Sequence, residues 1–310
     1  MPATTRNVLR RSVALLLTAI FFAYLWSIRH DLLRALSNLR GAQLAAIGGL
    51  LSLQWGIRAW RDRILYAAAG YRPGTTAILW SNNVQLSLNY LPLKAGTLSS
   101  AGFLFSAFGV RLQDFAVVLG QQYLLNALVS SVLAAAALWL LPGGIGAGTI
   151  LGTLAFVGIG ATALGFLAWD GFARLLPASM AERLNQSGVR SLAILKHNAP
   201  AALATMALTI AMCLASGMRM IVVFGVVGVD LGFADSLVIS ASVMLSALLA
   251  VTPAGLGITE SLVGATSSLL SFPGPVGVIA ATIDRAVILA LSVLISLALA
   301  PLALRPAKRS

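Results

Sequence analysis

Tyr90-Leu91-Pro92-Leu93-Lys94-Ala95-Gly96-Thr97-Leu98-Ser99-Ser100 and Val251-Thr252-Pro253-Ala254-Gly255-Leu256-Gly257-Ile258-Thr259-Glu260-Ser261 read as two copies of one interruption in an apolar chain. In each, Pro is followed four residues later by Gly, and a helical segment follows. Pro removes an N–H donor and clashes with the preceding turn, so a helix ends there. Paired Pro/Gly-interrupted apolar segments in corresponding halves of a membrane chain point to a transporter's binding site. Pro92 and Pro253 are therefore the expected helix breaks, and the residues beside them are the first functional candidates.

The composition around the breaks sets the class. Of 310 residues, 59% are hydrophobic and 10% charged, and the mean hydropathy is +0.92. Long uncharged runs recur along the whole chain, as membrane spans require. The chain reads as one all-α polytopic membrane domain, 1–310. The net charge of +12 fits basic loops beside anionic lipid better than nucleic acid, because no basic run is interleaved with aromatics in a soluble segment. The single Cys213 excludes an internal disulfide and a Cys-based metal site. His30 and His197 match no ligand spacing, so neither a metal nor a cofactor is expected.

About six full spans and two broken hairpins follow. Arg10-Arg11 before an apolar run resembles a signal peptide, but Ser27-Ile28-Arg29-His30 offers no small-residue cleavage site, so 12–28 reads as the first span. The second covers 41–57, and Arg58, Arg61, Arg63 and Arg72 then read as a basic loop. Residues 75–109 are apolar but studded with Asn82, Asn83, Gln85 and Asn89, and divide at Pro92 to Gly96. Each half holds roughly 15 residues, about 22 Å of helix, short for a ~30 Å core. A hairpin returning to its side of entry fits. Spans follow at 114–141 and 149–169, then a polar amphipathic segment, 170–198, expected on the membrane surface. Next come a span at 201–227 carrying Arg219, a second broken hairpin at 233–272, and a last span at 276–300.

Lys and Arg counting places the N-terminus in the cytoplasm. Most of the 21 basic residues then lie on that side. Arg29, Arg34 and Arg40 lie outside, and Lys94, Arg219 and Arg285 at membrane depth. Both termini end inside, which suits the cytoplasmic membrane of a bacterium. The first hairpin enters from the cytoplasm and the second from outside. The repeats 75–141 and 233–301 are then related by inverted topology, as in many alternating-access transporters.

Charges at membrane depth usually pair or line a wet cavity. The candidates are Lys94, Arg219, Glu260, Asp284 and Arg285, with Asn89, Gln121, Gln122 and Asn126 among the amides. One reading is a midplane cavity in which helices starting after Gly96 and Gly257, with Gly255 beside the second, aim N–H groups at an anion. Lys94, Arg219 or Arg285 would add charge for a phosphate on a lipid. The other reading is structural: Glu260 pairs with Arg285 or Arg219, and the amides satisfy the interrupted backbones. For Glu260 and Arg285 the two readings weigh equally. No paired carboxylates, Ser-His-Asp set or Asp-rich metal motif favours an enzyme.

Pro253-Ala254-Gly255-Leu256-Gly257-Ile258-Thr259-Glu260, followed by Ile283-Asp284-Arg285-Ala286, resembles the second half of the lysylphosphatidylglycerol synthase transmembrane, or flippase-like, family. That family's pattern is Pro, Gly-Leu-Gly-x-x-Glu, then Arg in the next span. Asn89 to Gly96 is similar to its first-half element, and the resemblance runs from about residue 10 to 304. Thr97 stands where the family often has an acid, and Gln122-Tyr123 where it often has an acidic-Arg pair, so the first-half charge network is expected to be missing. The soluble aminoacyl-transferase domain of some members is absent from this sequence. The resemblance implies a flippase moving an aminoacyl-phospholipid, a polyprenyl-linked glycan or a similar polar-headed lipid. Lys94, Arg219 and Arg285 would hold the head group, with Glu260 as counter-charge. The alternatives are a membrane-embedded transferase on a lipid-linked sugar and a scaffold for a lipid-modifying synthase.

Overall fold

The computed structural model describes residues 26, 29–37, 39–90, 94–141, 147–168, 198–249 and 253–303. The expected first span apart from residue 26, the surface segment up to 197 and Pro92 lie outside them. The described residues form helices: α1 Arg29–Ser37, α2 Gly41–Ala68, α3 Thr75–Leu88, α4 Ala95–Phe108, α5 Leu112–Trp139, α6 Ala147–Ala168, α7 Ala199–Val226, α8 Phe233–Ser246, α9 Ile258–Leu269 and α10 Gly274–Ala303. Among them α5, α7 and α10 are long and apolar enough to cross a membrane, and several shorter apolar helices accompany them. The chain is a multi-pass membrane protein.

The helix α2 overruns the expected boundary. Arg58, Arg61 and Arg63 do not form a loop; they lie on α2, which continues to Ala68. The reason is local neutralisation. Asp62 accepts from Arg61 and lies 3.7 Å from Arg58 one turn earlier, so the helix can carry its charges into the bundle.

Each broken segment folds as an antiparallel pair of short arms. In the first, Ser81 bonds Ser100, and the Gln85 amide donates to Thr97 Oγ1 at 3.3 Å. Its open end is closed by Tyr71, which donates to Asp114. In the second, Ser242 bonds Thr266 at 2.7 Å and Ser246 bonds Thr259 at 2.9 Å. With 14 residues in α3, α4 and α8 and 12 in α9, no arm exceeds about 21 Å, too short for a ~30 Å core.

The core lies where α2, α7, α8 and α10 meet. Ile47, Leu51, Met220, Val223, Phe224, Ile239 and Ala280 are buried there. The pairing of Arg61 with Thr209 and of Leu39 with Val226 runs α2 antiparallel to α7. The first hairpin therefore opens at the end where α2 finishes. The second opens at the other end, where Leu231 and Phe272 join the core beside Phe224.

Candidate functional site

The second break is built from backbone first. Ala254, Gly255 and Gly257 all have positive φ (49°, 70° and 81°), so the chain turns with left-handed residues before α9 restarts at Ile258. For Ala254 this conformation costs about 1 kcal/mol. The Gly257 N–H donates to Glu260 Oε2 at 2.9 Å, the reach-back that closes a helix start. Glu260 Oε1 lies 2.9 Å from Arg285 Nε. Arg285 Nη2 donates to the Gly255 carbonyl at 3.4 Å. One guanidinium from α10 thus holds both sides of the break. Its Nη1 is buried and has no hydrogen-bond partner among the described residues.

One residue earlier on α10, Asp284 accepts from Arg219 Nη1 of α7 at 2.8 Å. Both side chains are at most 5% exposed. Two acids and two arginines thus make a buried, formally neutral centre at the junction of α7, α9 and α10. Burial of such charges is tolerable only when they are paired and hydrogen-bonded.

The first break is different. Lys94 takes a left-handed conformation (φ 54°) as the cap of α4 and is exposed. Among the described residues it makes no ion pair with the centre formed by Arg219, Asp284, Glu260 and Arg285. Gly96 does not precede the helix either; it is the second residue of α4. A Cβ there would overlap the Gln85 carbonyl and come within 2.8 Å of the Asn89 nitrogen, so Gly is what lets the two arms touch. Asn89 Oδ1 accepts from the Thr97 N–H at 3.0 Å and from its hydroxyl at 3.2 Å. Asn89 therefore caps α4 across the break, as Glu260 caps α9. In each half a helix-start N–H expected to face an anion is already taken by a side chain. Tyr90, the last described residue before this break, is partly buried. Behind it, α3 is fastened to α10 by Ser87 to Ser292 at 2.9 Å and by Trp80 to the Ser296 carbonyl at 3.0 Å.

A family model described as Lysylphosphatidylglycerol synthase TM region matches residues 11–296. The chain belongs to this family. The family is one of membrane proteins linked to lipid metabolism or translocation. No curated protein and no solved structure matches the chain.

For this member of the Lysylphosphatidylglycerol synthase TM region family, Thr97 and Gln122-Tyr123 carry no charge, and a buried charged cluster that the motif reading passed over lies on α2. Arg61 is wholly buried. Its Nη1 donates to Asn126 Oδ1 at 2.6 Å and to Thr209 Oγ1 at 3.4 Å, and Nε and Nη2 face Asp62 Oδ1. Asp62 Oδ2 accepts from the Asn82 amide at 2.8 Å. The charges come from α2, before the hairpin, rather than from α5 after it. The available signal was Arg58 and Asp62 at i and i+4 within a continuous helical pattern, with Asn82 and Asn126 as neutral partners. Gln121 and Gln122 are also buried on α5.

Proposed function

We propose that this protein moves a lipid with a polar or anionic head group between the two leaflets. The observation that carries the reading is the pairing of Arg219 with Asp284 and of Arg285 with Glu260 beside the second interrupted hairpin. Each charge at such depth costs at least ~2.5–3.5 kcal/mol, so a structure that keeps four invites a polar cargo. A head-group phosphate would be met by Arg285, whose Nη1 is unoccupied by any described residue. A head-group amine would be met by Glu260 or Asp284.

The two hairpins open at opposite ends of the bundle, which supports reading 75–141 and 233–301 as an inverted repeat that exposes the cavity to each leaflet in turn. Lys and Arg placement supports about six full spans with both termini in the cytoplasm of a bacterium. On this reading the chain is a transporter rather than an enzyme. Its partner is the lipid, and a synthase that makes the head group is the protein most suited to associate with it.

The test is leaflet exchange of fluorescent lipids in proteoliposomes, read by quenching the outer leaflet. The panel compares neutral, anionic and lysyl-modified head groups and a polyprenyl phosphate. One class should exchange faster than in protein-free vesicles, and Glu260→Gln should slow it. If both Glu260→Gln and Arg285→Ala fold and leave exchange intact, the assigned centre is wrong.

A further inference from the structure

The cluster on α2 differs from the ion-paired centre in its charge balance. The centre sets Arg219 and Arg285 against Asp284 and Glu260. On α2, Arg58 and Arg61 share the one carboxylate of Asp62, and no other acid pairs with either among the described residues. Arg61 is occupied by Asp62, Asn126 and Thr209. Asp62 is occupied as well, with Oδ1 facing Arg61 and Oδ2 accepting from Asn82. Arg58 is the charge left over. Its Nε stands 3.7 Å from Asp62 Oδ2, beyond hydrogen-bond distance, and is buried with no hydrogen-bond partner among the described residues.

Arg58 is also the accessible member. Its side chain is 19% exposed, whereas those of Arg61 and Asp62 are at most 1% exposed. Gln54, one turn earlier on the same face of α2, is partly buried too, so the cluster is approached along the Gln54–Arg58 row. The 28 residues of α2 span about 42 Å and, centred on a ~30 Å core, overhang it by about 6 Å at each end. Arg58, 17 residues after Gly41, then lies about 10 Å inside the nearer boundary. An arginine at such depth calls for a partner or a wet cavity.

We infer that Arg58 binds a phosphate of an anionic lipid, making the α2 cluster a second head-group station besides the centre. The inference rests on the translocase reading for its purpose and adds the charge class of the cargo. A guanidinium grips phosphate oxygens in a bidentate fork, and one phosphate charge balances the excess of one arginine. Depth favours a lipid over a free anion, because a lipid leaves its chains in hydrocarbon while a free anion is desolvated whole.

The experiment is retention of phosphatidylglycerol against phosphatidylcholine by the purified full chain, counted by native mass spectrometry, with melting followed in each lipid. The wild type should prefer phosphatidylglycerol, and Arg58→Gln should lower that retention about fivefold or more without changing phosphatidylcholine. In phosphatidylcholine Arg58→Gln should melt no lower than wild type, because Arg61 keeps Asp62 and the unmatched charge is gone. Arg58→Lys should keep part of the preference. Equal retention by wild type and Arg58→Gln overturns the station. A lower melting temperature for Arg58→Gln in phosphatidylcholine also overturns it, since Arg58 would then be part of the framework. Arg58-dependent stabilisation by millimolar inorganic phosphate, with none by phosphatidylglycerol, overturns the lipid and leaves a free-anion site. Failure of the translocase reading looks different: Arg58-dependent retention would persist while no lipid changes leaflet.

Discussion

The Arg219–Asp284 pair offers the sharpest quantitative test. Asp284→Asn keeps the shape of the side chain and removes its charge. Arg219 is then left as an uncompensated cation, 3% exposed, with Ser216 Oγ at 3.5 Å from its guanidinium. Removing one partner of a buried pair costs about 3–5 kcal/mol, because the surviving charge stays desolvated. At roughly 2 °C per kcal/mol for a chain of this size, the melting temperature should fall by about 6–10 °C. The assay is thermal loss of the folded peak on size exclusion in detergent. The matched control is Arg219→Met/Asp284→Asn, which removes both charges and fills the space with an apolar chain. That variant should recover most of the loss, since an apolar replacement of a whole buried pair is often neutral. A shift under about 2 °C for the single change would mean that water or another acid reaches Arg219, and the centre would not be dry. A double variant no better than the sum of its singles would mean that the two residues are uncoupled.

Three further changes read other parts of the argument. Gly96→Ala forces a Cβ against the Gln85 carbonyl and Asn89; with backbone on the far side it should cost about 2–3 kcal/mol, seen as a lower melting temperature. Asp62→Asn strands the buried Arg61 and should cost about 3–5 kcal/mol, with Arg61→Met/Asp62→Asn closer to wild type in the same assay. Lys94→Gly relieves a left-handed backbone and should raise stability by up to ~1 kcal/mol. Leaflet exchange should survive it, and a loss would return Lys94 to the head-group path.

The sequence made the second half far more legible than the first. Pro253, Gly255, Gly257 and Glu260 interact within one turn, and Arg285 follows in the next apolar run, so pattern and contact coincide. The pairing of Arg219 with Asp284 was harder, because 65 residues separate them and α7 offers no acid of its own. The basic residues of α2 were misplaced for a physical reason. Charge counting treats Arg58, Arg61 and Arg63 as water-seeking, and Asp62 with Asn82 and Asn126 cancels that need inside the bundle. Asn89 and Gly96 are legible as residues of the break, but their contacts across it to Thr97 and Gln85 are not. A Pro/Gly signature marks where a helix breaks, whereas only coordinates tell whether the exposed N–H groups face a cargo or a neighbouring side chain.

The distribution of charge along α7 bears on how a head group would cross. Thr209 touches the Arg61–Asp62 cluster and Arg219 belongs to the Arg285–Glu260 centre. The two positions are ten residues apart, about 15 Å on one rigid helix, which is half of a ~30 Å hydrocarbon core. A polar group moving unaided through the core meets its desolvation cost over the whole thickness. Beside α7 it would never be more than about 8 Å from a fixed, already desolvated ion pair while passing between the two levels. Both pairs sit on long helices packed through Met220, Val223 and Phe224. Each hairpin supplies mainly a capped tip: Asn89 and Tyr90 in one half, Glu260 in the other. On the translocase reading, α2, α7 and α10 are therefore the fixed electrostatic track and the hairpin tips are the elements that open it. Neutralising a track residue with its partner should then lower exchange more than stability, and altering a cap should lower both.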